Sequence, residues 1–165
     1  MSTHAAVKSS KRSPNSENLA IWREYLETSE QLRTMLAVRL QAESDLSTGD
    51  YAVLLALSEA DGKTLRSSEL ADRINWERSR LSHHLRRMEM RGVVARHRCV
   101  DDSRGAEVTL TEDGAALFRR ASAPHLRAIQ DLFIDGLDSD LLHQAESVSR
   151  ALNAHLQRLA ATTRS

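Results

Sequence analysis

Ser67-Ser68-Glu69-Leu70-Ala71-Asp72-Arg73-Ile74, Asn75-Trp76-Glu77 and Arg78-Ser79-Arg80-Leu81-Ser82-His83-His84-Leu85-Arg86-Arg87-Met88-Glu89-Met90-Arg91 follow one another without a gap. The first and last stretches read as amphipathic helices, and the middle one as the break between them. That pattern predicts a helix-turn-helix, in which the first helix braces and the second lies in a groove. Ser67 is the expected N-cap of the first helix, with Leu70, Ala71 and Ile74 facing inward. In the second, Leu81, Leu85 and Met88 share one face. Arg78, Ser79, Arg80, Ser82, His83, His84, Arg86 and Arg87 are assigned to the other, and Gly92 stops the helix. A B-DNA major groove, about 12 Å wide, admits one α-helix. Such a helix needs an apolar underside and an outer face of donors. Arg reaches guanine bidentately, while Ser and His reach phosphates or base edges.

The charge distribution supports that reading. The chain has 23 Lys and Arg against 23 Asp and Glu, for zero net charge. Between Arg78 and Arg98, however, seven arginines face one acid, Glu89, so this segment carries +6 and the other 144 residues sum to −6. A basic segment in an acidic chain is a local electrostatic footprint that a whole-chain balance hides.

Downstream, Val93 to Val100 reads as a strand, Asp101-Asp102-Ser103-Arg104-Gly105 as a turn, and Ala106 to Leu110 as the return strand. This hairpin presents Arg96, His97 and Arg98 on its first strand. An arginine at its tip, Arg104, suits a narrow minor groove, where negative potential is enhanced.

Outward from this unit, residues 1–17 read as a disordered tail rich in Ser, Lys and Asn. One long helix between Glu17 and Asp45 carries Trp22, Leu26, Leu32, Leu36 and Leu40. Ser47 or Thr48 caps a short buried helix ending at Ser58, and Asp61-Gly62-Lys63 is a turn. After the hairpin, Thr111-Glu112-Asp113-Gly114 opens a helix to about Gly136, bent near Pro124. A last helix from Asp138 carries Leu141, Ala145, Val148, Leu152, Leu156 and Leu159. The two long end helices are expected to pack on each other and on their copies in a second chain. The division expected is a tail (1–17), an N-terminal dimerisation helix (18–46), a DNA-binding unit (47–113) and C-terminal dimerisation helices (114–165). The fold class is mainly α with a small β-hairpin wing.

These residues resemble the MarR family of bacterial winged-helix transcription regulators. The resemblance rests on Ser68-Glu69-Leu70-Ala71, on the helix Arg78–Arg91 with Gly92-Val93-Val94 after it, and on Asp102-Ser103-Arg104-Gly105 followed by Leu110-Thr111-Glu112-Asp113-Gly114. It covers about residues 65–115. The Pro common early in family wings is absent, with Val100 and Asp101 in its place. The resemblance implies a homodimer on a pseudo-palindromic double-stranded DNA operator, with Arg78–Arg91 as recognition helix and Arg104 as wing-tip arginine. The candidate DNA contacts are Ser67, Ser68, Arg78, Ser79, Arg80, Ser82, His83, Arg86, Arg87, Arg96, Arg98, Ser103, Arg104 and Gly105. It also implies an effector, often an aromatic acid, in a cleft here lined by Trp22, Tyr25 and Tyr51. The function expected is a repressor relieved by a small ligand or oxidant.

Other chemistry is poorly represented. No Gly-rich phosphate loop, carboxylate pair or nucleophile elbow appears, so an enzyme has no candidate residues and no cofactor is expected. Adjacent His83 and His84 point about 100° apart on a helix, and no metal ligand set emerges. Cys99, beside Arg98 and His97, is the one thiol with a basic setting for redox sensing. The longest apolar run, Tyr51 to Leu57, is far short of the roughly 20 residues of a membrane span. The N-terminus lacks the apolar stretch of a secretory signal, so a cytoplasmic protein is expected. The alternative function is a helical adaptor that sets its basic helix against an acidic protein.

Overall fold

The computed structural model describes residues 13–98 and 106–163 (of Arg98 and Thr163 the backbone alone). Its elements are α1 (Ser16–Ser44), α2 (Thr48–Ser58), β1 (Thr64–Arg66), α3 (Ser67–Arg73), α4 (Arg78–Met90), β2 (Val94–Arg98), β3 (Ala106–Leu110), α5 (Glu112–Ile129) and α6 (Ser139–Thr163). The expected fold class is what forms: helices around a small antiparallel sheet.

Local chemistry explains the helix ends. At α2 it is Ser47 that caps: its Oγ accepts from the Asp50 N–H at 3.1 Å, and Asp50 Oδ2 accepts from the Ser47 N–H at 3.0 Å. This reciprocal box satisfies two donors that the first turn would otherwise leave bare. α3 and α4 end alike. Asn75 (φ 53°) and Gly92 (φ 72°) take the left-handed conformation. Asn75 and Trp76 donate back to Asp72 and Ala71, as Gly92 and Val93 donate back to Glu89 and Met88. The nested pair of bonds is a Schellman ending, which turns the next apolar residue onto the core. Trp76 and Val93 are those residues.

Two expectations change here. Ser67 does not cap α3, because Arg66 occupies the cap position in extended conformation and its side chain does not bond the helix end. Arg66 is extended because it ends β1, a strand the sequence reading lacked. β1 pairs with β3 (Thr64 with Thr109, Leu65 with Val108, Arg66 with Glu107), so the hairpin becomes a three-stranded sheet in the order β1-β3-β2. The Ser67 hydroxyl instead donates to the Ala106 carbonyl at 2.9 Å and ties α3 to β3. Three residues are too few to show strand alternation.

The second change concerns the end helices. One buried cluster runs from Leu40 of α1 through Leu54, Leu57, Leu70, Leu81, Leu85, Met88 and Val108 to Ala115 and Ala121 of α5. Both flanks therefore share the core of the middle unit. α1 packs along α5, not along α6, and Arg39 Nη1 donates to Asp131 Oδ2 at 2.7 Å just beyond α5. α5 runs through Pro124 to Ile129 and loosens into a π turn, Gln130–Ile134. None of the described side chains of α6 is buried. Among the described residues no helix is long and apolar enough to cross a membrane.

Thr111 fastens the sheet to α5. Its Oγ1 accepts from the Gly114 N–H at 3.0 Å and donates to the Gly92 carbonyl at 2.7 Å. The residue that stops α4 and the residue that starts α5 are thus joined by one hydroxyl.

Candidate nucleic-acid interface

α4 presents Arg78, Ser79, Arg80, Ser82, His83, Arg86 and Arg87 to solvent, while Leu81, Leu85 and Met88 beneath them are buried. The exposed row is continuous over three turns and carries four guanidinium groups. Two of these are held in place by their neighbours. The Arg80 guanidinium lies over the Trp76 ring at 4.0 Å, a cation–π contact that flattens it against the helix start. Arg87 Nη2 lies 2.9 Å from His84 Nδ1.

His84 departs from the expected exposed face. It is buried, at 8% exposure, and its Nε2 sits 3.0 Å from Asp50 Oδ1, a close contact without hydrogen-bond geometry. The reason is helical spacing: position 84 is three residues after Leu81 and four before Met88, so it shares their inner face. Asp50, in the first turn of α2, is buried as well. Burial alone would raise its pKa, but His84, the N–H and hydroxyl of Ser47 and the Arg91 guanidinium outweigh it and hold the carboxyl well below 3.8. Arg91 Nη1 donates to Asp50 Oδ2 at 3.0 Å and Nη2 to the Asp45 carbonyl at 3.1 Å. One arginine thereby clamps the end of α4 to the end of α1 and the start of α2.

Between α4 and the first turn of α2 lies a cavity of about 430 Å³ lined by Ser47, Thr48, Gly49, Trp76 and the cationic side of α4 from Arg80 to Arg87. Gly49 lets its walls pack closely. A Cβ there would stand 2.6 Å from the Trp76 ring and 3.0 Å from the His84 ring. Trp76, Gly49, Asp50 and Arg91 went unrecognised as site-shaping residues. Their partners lie on other elements, so spacing along one helix carries no trace of them.

The remaining candidates are more dispersed. Ser67 is engaged with Ala106, and Ser68 is half-buried beside it. Arg96 is committed to Glu89, its Nε and Nη2 both donating to Oε2 at 2.8 and 2.6 Å, and this bond chiefly lowers the Glu89 pKa. Arg98 ends β2. Ser103, Arg104, Gly105 and Cys99 lie outside the described residues. Of the three aromatics, Tyr51 packs on α5 against Phe118 and His125, ring centroids 5.3 and 4.4 Å away. Trp22 and Tyr25 are exposed on α1. At 1.5 Å per residue they lie about 27 and 22 Å up its axis from the core residue Leu40, so one chain does not bring them to Tyr51. Among the described residues no group of three or more His, Cys, Asp or Glu side chains is placed to hold a metal ion.

AbsC, a MarR family transcriptional regulator from Streptomyces coelicolor, is 33% identical to this chain. The superposition covers 89% of this chain and 99% of AbsC, with a TM-score of 0.82. The chain belongs to the MarR family. A second MarR regulator from the same organism, Sco3205, solved in complex with DNA, is 31% identical with a TM-score of 0.85, over 91% of this chain and 94% of that one. Residues 36–120, the span from the end of α1 into α5, match the family described as transcriptional regulator SarA/Rot. The organic hydroperoxide resistance transcriptional regulator of Bacillus subtilis (strain 168) is 35% identical over 71 residues, 43% of this chain and 47% of that protein. This chain therefore aligns with about half the length of that curated relative. These MarR-type relatives are transcriptional regulators, not enzymes.

Proposed function

We propose that the protein is a homodimeric repressor that reads a pseudo-palindromic operator, with α4 in the major groove and the β2–β3 wing in the minor groove. The observation that carries the reading is the seven-residue donor face of α4 over a fully buried underside. A helix anchored this way is exposed only where a groove would receive it. The DNA complex of the MarR relative Sco3205 supports the same use of the shared frame.

Within this reading Arg78, Ser79, Arg80, Ser82 and His83 face bases or phosphates, and Arg86 and Arg87 face the backbone. Ser68 flanks them. Arg98 and the tip residues Ser103, Arg104 and Gly105 supply the wing contacts. Arg96 steadies the wing through Glu89. Relief by a small aromatic compound is placed at the α2–α5 junction, where half-buried Tyr51 meets Phe118 and His125. Trp22 and Tyr25, exposed on α1, go with the dimer surface.

The test is a gel shift with operator-region and random DNA at several salt concentrations. A sequence-specific shift with a steep salt dependence is expected. Weak shifts indifferent to sequence would favour an adaptor that binds acidic protein. Titration with salicylate-like compounds, followed by tryptophan emission, tests the effector. A flat response across the panel would mark a constitutive binder.

A further inference from the structure

We propose that Asp50 and His84 are positioning residues for DNA binding, a buried relay that aims the Arg87 guanidinium at a backbone phosphate. The inference rests on α4 being the DNA-reading helix. It begins with a donor count. Arginine has only donors, so the Nδ1 that faces Arg87 Nη2 at 2.9 Å must be the bare ring nitrogen. The imidazole proton then sits on Nε2, which lies 3.0 Å from Asp50 Oδ1 in a close polar contact without hydrogen-bond geometry. Asp50 is in turn held through its other oxygen by the Ser47 N–H and Arg91 Nη1, each at 3.0 Å. The carboxylate charge beside Nε2 favours the tautomer that carries its proton there, and that tautomer leaves Nδ1 free to receive Arg87.

The ring has little room to turn. Trp76 stands edge-on to it, planes at 89° and centroids 5.1 Å apart, and the bare face of Gly49 packs beside both. The capping box and the Arg91 clamp account for Asp50, but neither calls for a histidine at 84, where an apolar residue of similar volume often serves stability as well. What the pair adds is orientation. An exposed arginine must surrender rotamer freedom when it binds, and an arginine already aimed surrenders less. Arg87 lines the same cavity as Arg80, His83 and the start of α2. A phosphodiester is the anion that DNA would bring to that place.

The test uses the full chain and a short duplex bearing its binding site. Arg87→Ala should weaken binding about tenfold, as expected for one charge-assisted contact per helix. His84→Gln keeps an amide towards Asp50 but offers Arg87 no acceptor, and should lose a similar factor. His84→Asn places an oxygen near the Nδ1 position and should recover most of the affinity. In the Arg87→Ala background, His84→Gln should change affinity less than twofold, because the residue it positions is gone. If His84→Gln lowers the melting temperature too far, Asp50→Asn enters the same cycle. Equal losses in both backgrounds would show a purely structural role and overturn the relay. So would unchanged affinity on His84→Gln beside a clear loss on Arg87→Ala. A wild-type chain that shifts no DNA would instead remove the α4 reading, and the relay with it.

Discussion

A methyl group on residue 114 would lie 2.0 Å from the Val93 carbonyl oxygen and 2.9 Å from a Leu110 methyl. Backbone cannot step aside as a side chain can. Helix propensity favours Ala over Gly by about 1 kcal/mol, yet overpacking at a site closed by backbone costs roughly 1–3 kcal/mol and sometimes more. Gly114→Ala should therefore lower the melting temperature, and an increase would show that α5 can shift outward freely. Asp50 makes a different prediction, through pH. Its folded-state pKa lies below the ordinary 3.8, so its partners stabilise the fold above that value. The contribution drains away as acid protonates the group. Between about pH 5 and 3, stability should fall more steeply in the wild type than in Asp50→Asn, which has no proton to take up. The variant starts lower at neutral pH, since Arg91 then faces a neutral amide. Parallel curves in denaturant melts would mean that Asp50 contributes nothing through its charge.

At the scale of elements, α4 was the most legible part of the chain. Leu81, Leu85 and Met88 mark its underside by spacing, and Gly92 marks its end. His84 was misplaced on the outer face although the same spacing puts it inside, because a histidine among arginines reads as one more cation. β1 was missed because three residues show no period, and its strand character comes wholly from pairing with β3. Of the site, the exposed row was legible and its support was not. Trp76, Gly49 and Asp50 act across elements, where periodicity has no reach. The supported row leads to a prediction about specificity. Arg80, stacked on Trp76 at the start of α4, sits in the turns that enter the groove first. Arg80→Ala should lose roughly 1–3 kcal/mol on the operator and little on random DNA. Equal loss on both would make Arg80 a phosphate contact. In the wing, Arg104→Ala should leave melting almost unchanged and reduce the log-log salt slope by about one per wing, about two for a two-fold complex. An unchanged slope would place the wing off the DNA.

The whole molecule poses a problem that one chain does not solve. Ile21, Trp22 and Val38 on α1 are 61%, 58% and 63% exposed, and Val148, Leu152 and Leu156 on α6 are 53%, 42% and 55% exposed. On α6 these recur every four residues, a one-sided stripe that the described residues leave exposed. Apolar area removed from water contributes about 25 cal/mol per Å², or roughly 1.5–3 kcal/mol for each large side chain fully covered. Several such side chains per helix, doubled by two-fold symmetry, suffice to hold a stable dimer. That symmetry would set two α4 helices about one DNA turn apart, near 10 base pairs, and would require an inverted-repeat site. The stripe can be disabled without touching the core, because none of the described α6 side chains belongs to the buried cluster. Leu152→Glu with Leu156→Glu should yield a folded monomer by sedimentation, with helix content nearly unchanged. On DNA it should lose tight operator binding and retain only weak, sequence-blind association, since each half-site then meets a single α4. Removal of Ala145–Ser165 should act the same way. A variant that stayed dimeric, or a monomer that still protected both half-sites at wild-type affinity, would move the interface away from α6 and leave the exposed face of α1 to account for the symmetry.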